Sequence, residues 1–290
     1  MHWKQKAFLQ KVVANLPFGL SDFAYHLIMK YGGGYVPYMD STPDFEQSLR
    51  IIECARHHGH DISQATFFEL GTGRVLSTAI GLWLLGANKI ITVDLNSYLR
   101  EEVTLVVIDQ LNDEAFVHKI FGDWADDPEM KKRIKSITSC HKSLHDIFQL
   151  TGIDYRSPCD ATQLSMADAS IDIYFSSFVL EHVPVDVITA LSVEARRVLS
   201  NEGLFIHYVG VSDHYAEYPS EPCGDPAIST VNFLQFSENK WMQISGNKFN
   251  FHNRLRAVEY KRLFESNGLE ILLYEEISDQ KALDLLQGGT

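Results

Sequence analysis

One run of strands and glycines constrains the fold of this chain more than any other part of its sequence. Thr66–Leu70 is a short β-type run that ends at Gly71-Thr72-Gly73, and Arg74–Leu85 follows with helical periodicity and without proline. Lys89–Asp94 is a second β-type run, closed by an acidic residue. A strand, a glycine loop, a helix and a second strand in this order form the βαβ unit of a parallel sheet. The sequence therefore predicts an α/β fold with a Rossmann-like, doubly wound and mostly parallel sheet.

Most of the remaining chain continues this alternation of strands and helices. Further strands are predicted at Ile153–Arg156, Ile171–Ser177, Leu204–Val209 and Leu269–Tyr274. Apolar residues at helical spacing predict helices over Lys4–Asn15, Asp22–Lys30, Phe45–His58, Tyr98–Leu111, Glu129–Leu150, Val185–Leu199 and Ala257–Asn267.

The chain is predicted to consist of a helical N-terminal cap or lid at residues 1–65 and a sheet-based domain at residues 66–290. Within the cap, the glycine-rich loop Tyr31–Tyr35 either joins two helices as a hinge or approaches a ligand. Residues 97–150 are predicted as a helical insertion that forms a lid or covers a sheet edge. Residues 212–253 form a second insertion, in which aromatic residues and amides either contact a ligand or build a small separate core.

Charge and composition exclude several classes of protein. The chain has 25 Lys and Arg residues against 38 Asp and Glu residues, and its net charge of −13 repels phosphate backbones, so we expect no general nucleic-acid binding. No apolar stretch approaches the roughly 20 residues that a membrane span requires, and the N-terminus lacks the apolar core of a signal peptide. The four cysteines lie far apart and form no C-x-x-C pair, which indicates reduced thiols in a cytoplasmic protein.

The glycine loop and the acid after the second strand indicate a cofactor site. Glycines after a strand allow close backbone approach to a ligand at a helix N-terminus. The loop lacks the G-x-G-x-x-G spacing of dinucleotide-binding proteins, because Leu76 occupies the last position, and Glu69 would repel a pyrophosphate. An acid there suits a positively charged ligand instead. Asp94 follows Gly73 by about 20 residues, the spacing of a carboxylate that accepts both hydroxyls of a ribose.

At this point the chain resembles the class I S-adenosylmethionine-dependent methyltransferases, in particular the type that acts in small-molecule or glycan biosynthesis. The resemblance extends from about residue 64 to 211 and departs from the family's E/D-x-G-x-G-x-G pattern at Val75, which stands where the third glycine is expected. The matching motifs are Glu69–Gly73, Asp94, Cys159-Asp160-Ala161, Phe175–Val183, Glu194–Leu199 and Gly203-Leu204.

The resemblance implies that the cofactor is S-adenosyl-L-methionine, and it implies a role for each matching position around the methionine and ribose groups. Gly71 and Gly73 would lie under the methionine part of the cofactor. Glu69 would lie near its amino group, and Asp94 would bind the ribose hydroxyls.

The resemblance also implies which residues surround the adenine and the sulfonium. Asp160 would accept a hydrogen bond from the adenine amino group, and Ala161 would donate its backbone N–H to a ring nitrogen. Ser177 and Phe178, at the end of the fourth strand, would line the sulfonium side.

The implied reaction is an in-line displacement at the sulfonium methyl group by a small-molecule or glycan-type acceptor, with a hydroxyl oxygen as the expected nucleophile. A hydroxyl acceptor usually needs a general base, for which histidine is suited by its pKa. We predict His214 as this base and His182 as the second candidate, whereas His207, inside a strand, is predicted to be packed. No metal site is predicted, and Asp213 beside His214 is interpreted as a solvated loop acid.

Two other functions are weighed against this one. A nicotinamide-dependent oxidoreductase shares the βαβ start, but Glu69 and the pair Asp160-Ala161 disfavour it. A non-catalytic cofactor-binding subunit could retain the same fold and the same site residues. The expected partner is the small-molecule or glycan-precursor acceptor, and a homodimer is left open.

Overall fold

The structure, a computed structural model, describes residues 2–17, 19–31, 36–140, 143–217, 224–247, 249, 251–277 and 279–287. The chain divides into two compact units. Tyr38–Val179 and Ala190–Tyr208 form the first, here called the sheet unit. Met1–Pro37, Leu180–Thr189 and Val209–Thr290 form the second, here called the helical unit. Gly32–Tyr35 of the predicted hinge loop lie outside the described residues.

The sheet unit contains one five-stranded sheet. Its strands are β1 (Thr66–Leu70), β2 (Lys89–Val93), β3 (Asp154–Arg156), β4 (Ile171–Ser177) and β5 (Leu199–Tyr208). They lie in the order β3-β2-β1-β4-β5, and every neighbouring pair is parallel. This confirms the predicted Rossmann-like, doubly wound fold. The direction of winding reverses between β1 and β4, and ligands of open α/β sheets bind at such a switch point, beyond the carboxyl ends of the strands.

The central strands are buried on both faces. Phe67 and Phe68 are adjacent in β1 and therefore point to opposite faces, yet both are fully buried, as are Ile173, Tyr174 and Phe175 in β4. Continuous apolar burial is typical of parallel strands covered by helices on both sides. The apolar sequences of β1 and β4 accordingly explain why these two strands lie in the interior of the sheet, and the glycine loop follows the end of β1.

Twelve α-helices occur among the described residues: α1 (Trp3–Ala14), α2 (Leu20–Tyr31), α3 (Thr42–His57), α4 (Ser77–Leu84), α5 (Glu101–Gln110), α6 (Glu114–Phe121), α7 (Pro128–Cys140), α8 (Leu144–Thr151), α9 (Val185–Val198), α10 (Glu238–Ser245), α11 (Ala257–Ser266) and α12 (Gln280–Gln287). Short 3₁₀ helices lie at Val36–Met39, Gly122–Asp126, Leu180–His182 and Asn232–Gln235. In the part of the chain that the structure describes, no helix is long and apolar enough to cross a membrane.

Several predicted elements differ from the structure. The helix predicted over Glu129–Leu150 is two helices, because the Ser143 side chain accepts the Asp146 N–H and begins α8 anew. Leu269–Tyr274 is not a strand; Leu272 is 60% exposed and Leu273 is 65% exposed. Its apolar residues match the sequence pattern of a strand, but the segment does not pair with the sheet. Helices α6, α10 and α12 were missed.

The insertion at residues 97–150 packs beside the sheet. Arg133 on α7 donates hydrogen bonds to the carbonyl oxygens of Trp83 and Ala87 at the end of α4. Phe148 on α8 stacks on Tyr155 of the edge strand β3, with ring centroids 5.9 Å apart. Of the two interpretations of this insertion, a cover for the sheet edge is therefore the one that these contacts support.

The helical unit has a small core of its own. Trp3 of α1 packs against Tyr215 and Trp241, with ring centroids 5.7 and 6.0 Å away, and Phe233 completes the cluster. All four side chains are buried. These aromatic residues of the 212–253 segment thus form a separate core, which was one of the two interpretations of that segment.

Candidate active site

The loop after β1 is held in place by the end of β2. The N–H groups of Gly71 and Thr72 both donate to the Val93 carbonyl, at 2.8 and 3.1 Å. Gly71 has a φ of +85°, and a Cβ atom there would lie 2.5 Å from Cγ2 of Val179, in the segment after β4. The chain segments that follow β1 and β4 therefore meet at the switch point of the sheet, and only glycine allows this approach.

A chain of hydroxyl groups joins this loop to Glu69. The hydroxyls of Thr72 and Thr92 lie 2.6 Å apart, and Thr92 donates to Oε2 of Glu69 at 2.6 Å. Since Thr92 has one hydroxyl proton, Thr72 is the donor in the first bond. Burial raises the pKa of Glu69 to about 8, against the opposing effect of the Thr92 hydrogen bond. Ionised Glu69 would be stabilised by a positively charged ligand group.

Asp94 lies directly after β2 and is oriented by two backbone donors. Its Oδ2 accepts the Gly73 N–H and its Oδ1 accepts the Asn96 N–H, each at 2.9 Å. Burial raises the pKa of Asp94, while the two backbone bonds act in the opposite direction. Each carboxylate oxygen has two lone-pair directions, so each can accept a further hydrogen bond. The geometry suits a pair of ligand hydroxyls.

Asp160 and Ala161 lie on the loop beyond β3. Oδ1 of Asp160 accepts both the N–H and the hydroxyl of Thr162, at 2.9 and 2.7 Å, and these bonds lower the Asp160 pKa. The Asp160 side chain is exposed, and Ala161 beside it is buried. An ionised, solvent-facing acceptor at this strand end can take a hydrogen bond from an amino group.

Ser177 and Phe178 end β4 with two unusual features. The Ser177 hydroxyl is buried and has no hydrogen-bond partner among the described residues. Phe178 has a positive φ of 55°, donates its N–H to the Tyr208 carbonyl at 2.8 Å, and leaves 59% of its surface exposed. A strained backbone and an unsatisfied buried hydroxyl are features that cluster at ligand sites.

The predicted cofactor residues thus all lie at the carboxyl ends of β1, β2, β3 and β4, within the sheet unit: Glu69, Gly71, Gly73, Asp94, Asp160, Ala161, Ser177 and Phe178. These residues fit an adenosyl cofactor with a charged amino group. Asp94 offers two fixed oxygens, a Cβ at Gly73 would meet no atom within 4 Å, and the Ser177 hydroxyl is unsatisfied.

His182 and His214, the two predicted general bases, lie together in the helical unit. Their rings are 5.0 Å apart, and the ring of His252 lies 4.6 Å from His214 and 6.2 Å from His182. Glu181 completes the group; donor atoms of Glu181, His182 and His214 all lie within 4.8 Å of one another. The role of His214 or His182 as a base stays a prediction.

Three segments of the chain build this cluster: the turn with Glu181 and His182, the loop with His214, and the segment with His252. Glu181 and His182 lie on the 3₁₀ turn Leu180–His182, which Asn253 holds by donating its side-chain amide to the carbonyls of Leu180 and Val183, at 2.7 and 2.9 Å. The His182 Nδ1 bonds to the Phe251 carbonyl at 2.9 Å. A carbonyl only accepts, so Nδ1 carries the proton and Nε2 keeps its lone pair.

Asp213 corrects one interpretation from the sequence. It is fully buried rather than solvated, and it accepts the Tyr215 N–H and the Asn232 side-chain amide, each at 2.9 Å. Asp213 therefore shapes the loop that carries His214. Glu181 and Asn253 were not predicted as functional residues; the only available signal was that Glu181 adjoins His182 and Asn253 adjoins His252.

Burial dominates the electrostatics of the cluster. It lowers the pKa of His214 to about 2 and that of His252 to about 4, and the neighbouring imidazoles act in the same direction. It raises the pKa of Glu181 to about 8. Burial therefore favours the neutral forms of Glu181, His214 and His252.

Comparisons with known proteins find one family domain within the chain. A family model described as a methyltransferase domain matches residues 129–207, which run from α7 into β5 and include β3 and β4. A search of curated proteins finds no match.

Three solved structures resemble the chain at low identity. An S-adenosylmethionine-dependent methyltransferase from Mesorhizobium loti is 15% identical, with a TM-score of 0.43, over 82% of this chain and 88% of its own. A proposed methyltransferase from Bacillus halodurans is 13% identical, with a TM-score of 0.40, over 75% and 68%. Geranyl diphosphate methyltransferase, in complex with its cofactor, is 13% identical, with a TM-score of 0.40, over 76% and 64%.

Residues 129–207 therefore match a methyltransferase domain, and this match and the parallel sheet agree with the class that the motifs predicted, the S-adenosylmethionine-dependent methyltransferases. S-adenosyl-L-methionine is accordingly its cofactor.

Proposed function

We propose that this methyltransferase transfers the methyl group to a hydroxyl oxygen of a small-molecule or glycan-type acceptor, by in-line displacement. The cofactor, when bound, supplies a methyl group already activated by a sulfonium leaving group. The protein then has to bind both reactants, align them and exclude water. The observation that carries the proposal is Asp94, whose two oxygens are fixed by the N–H groups of Gly73 and Asn96 at the carboxyl edge of the sheet.

In this proposal the loop residues position the cofactor. Asp94 accepts the ribose hydroxyls, Asp160 accepts the adenine amino group and Ala161 donates its N–H to the adenine ring. Gly71 and Gly73 lie under the methionine part, and Glu69 stabilises its amino group. Ser177 and Phe178 line the sulfonium side, where the buried Ser177 hydroxyl gains a partner.

The proposal assigns proton removal from the acceptor to His214, with His182 as the second candidate. Both imidazoles lie on segments that leave strands of the sheet: His182 follows β4 in sequence, and His214 follows β5. A positioned general base contributes roughly 10²–10⁴-fold to a rate. We also propose a cytoplasmic location, because the described cysteines Cys54 and Cys159 carry free thiols.

A mass-spectrometric acceptor screen with labelled cofactor tests the proposal. Purified protein is incubated with pools of hydroxylated small molecules and sugar derivatives, and products are searched for a gain of one labelled methyl group. Asp94→Ala serves as the matched inactive control. Labelled products with methyl on nitrogen or sulfur, or on a macromolecule, would refute the hydroxyl acceptor. The nicotinamide alternative is tested by fluorescence titration with NADH, for which we expect no binding.

A further inference from the structure

The Glu181 carboxyl group occupies an environment that leaves one of its oxygen atoms without a hydrogen-bond partner. Glu181 is 1% exposed. Its Oε1 accepts the Gly210 N–H at 3.1 Å, but Oε2 is buried and has no hydrogen-bond partner among the described residues. A buried carboxylate oxygen without a donor is costly, and native structures rarely retain one unless it binds water, a ligand or an ion.

The His252 ring, 4.6 Å from that of His214, is also buried without partners for its nitrogens. His252 is 6% exposed, and neither of its ring nitrogens makes a hydrogen bond of normal geometry, although the Gly210 carbonyl acts on it electrostatically. His182 directs its protonated Nδ1 at the Phe251 carbonyl and keeps the Nε2 lone pair available. Atoms that can ligate a metal ion thus lie close together on Glu181, His182 and His214.

We propose that Glu181, His182 and His214 bind a divalent transition-metal ion, with Zn²⁺ as the best representative, and that His252 adjoins this site. Two imidazoles and one carboxylate form a common set of three protein ligands for such ions and leave a further position open to water or a ligand oxygen. Nitrogen donors disfavour Mg²⁺ and Ca²⁺, which prefer oxygen.

The geometry requires little rearrangement. The donor atoms lie within 4.8 Å of one another, and ligands of a tetrahedral Zn²⁺ with bonds of about 2.0–2.2 Å lie roughly 3.4 Å apart. Small side-chain rotations close this difference. His182 is exposed, so an ion can reach the site from solvent, whereas Glu181 lies at its buried end.

Surrounding contacts hold the ligands as expected for a metal site. The Phe251 carbonyl fixes the tautomer of His182, a function that outer hydrogen bonds serve in most histidine metal sites. Asn253 fixes the turn that carries Glu181 and His182. Gly210 leaves the space beside the carboxylate: a Cβ there would lie 2.7 Å from Oε1 of Glu181 and 3.6 Å from Nε2 of His214.

Coordination occupies the lone pair that a base needs, so His214 and His182 can act as general bases only in the metal-free protein. The site is therefore tested in the absence of cofactor and acceptor, so that its failure and a failure of the proposed function are distinguishable. The full chain, without an affinity tag, is stripped with a chelator and titrated with Zn²⁺ in competition with a chromophoric chelator.

We expect one equivalent of Zn²⁺ to bind to the wild type. Glu181→Gln, which keeps the side-chain size, and His214→Ala should each weaken binding by at least about 10–100-fold. Gly210→Ala should weaken it as well, although it removes no ligand. The matched control is Cys54→Ser with His58→Ala, which removes an exposed pair whose Sγ and Nδ1 lie 3.9 Å apart; this variant should retain full affinity.

Cobalt provides an independent readout. Co²⁺ bound to two imidazoles and a carboxylate should give visible d–d absorption in the wild type, and Glu181→Gln should lose it while its circular dichroism stays unchanged. Equal Zn²⁺ affinity in the wild type and Glu181→Gln, or loss of binding only in the Cys54 and His58 variant, would overturn the proposal.

Discussion

The glycine loop after β1 offers a prediction in which two neighbouring glycines serve as each other's control. Gly71 and Gly73 both have positive φ angles, +85° and +69°. A Cβ atom at Gly71 would lie 2.5 Å from Cγ2 and 3.1 Å from Cγ1 of Val179, whereas a Cβ at Gly73 would meet nothing within 4 Å. Alanine at either position introduces backbone strain, but only Gly71→Ala also introduces a clash.

The two costs can be separated in magnitude. A left-handed backbone costs an alanine about 1–2 kcal/mol, so Gly73→Ala should lower the free energy of unfolding by that amount. An overpacked contact adds about 1–3 kcal/mol, so Gly71→Ala should cost about 2–5 kcal/mol in total. Removing both γ-carbons of Val179 leaves its Cβ, 3.4 Å from the new methyl, which is an ordinary contact.

The assay is a double-mutant cycle of Gly71→Ala and Val179→Ala, with urea unfolding of the cofactor-free protein followed by far-ultraviolet circular dichroism. We expect a favourable coupling of about 1–3 kcal/mol between the two substitutions. The same cycle made with Gly73→Ala should show no coupling. A Gly71→Ala variant as stable as Gly73→Ala, or one that Val179→Ala fails to rescue, would refute the close approach of the two loops.

Three further predictions concern charged and polar groups. Asp94→Ala should weaken cofactor binding by about 2–4 kcal/mol in calorimetry, whereas the exposed Asp61→Ala should not; unchanged affinity in the former would contradict the ribose assignment. The pKa of Glu69 is raised from 4.5 to about 8 in the folded protein, so its contribution to stability is present below pH 4.5 and is lost as pH rises through 8. In the cofactor-free protein, urea unfolding should therefore show a smaller loss of stability between these two pH values for Glu69→Gln than for the wild type. Parallel stability profiles of the two proteins would contradict the pKa shift. Asn253→Ala should lower the free energy of unfolding by about 2–4 kcal/mol, because it leaves the Leu180 and Val183 carbonyls without their donor; a loss no larger than that of the exposed Asn112→Ala would contradict this.

The sheet and the residues at the carboxyl ends of its strands could be predicted because their signals are local. Phe67 and Phe68 are apolar in succession because both faces of β1 are buried, and the next polar residues mark the strand end where the ligand edge lies. Gly71 and Asp94 each follow a strand directly and Gly73 lies two residues beyond Gly71, so finding the strand also places these residues. The same reliance on local pattern explains the error at Leu269–Tyr274, where apolar residues occur without a neighbouring strand to pair with.

The histidine cluster could not be predicted in this way, because its members are brought together by contacts between distant segments. The His182 bond to the Phe251 carbonyl spans 69 residues, and the Asn253 bond to the Leu180 carbonyl spans 73. No periodicity links such positions, and each segment alone gives an ordinary turn. Their convergence also changes the chemistry, since the burial that lowers the pKa of His214 and raises that of Glu181 arises only once the segments meet. A histidine judged singly from sequence suggests a proton acceptor, whereas the folded cluster brings ligand atoms of Glu181, His182 and His214 within 4.8 Å of one another, an arrangement that suits a metal ion.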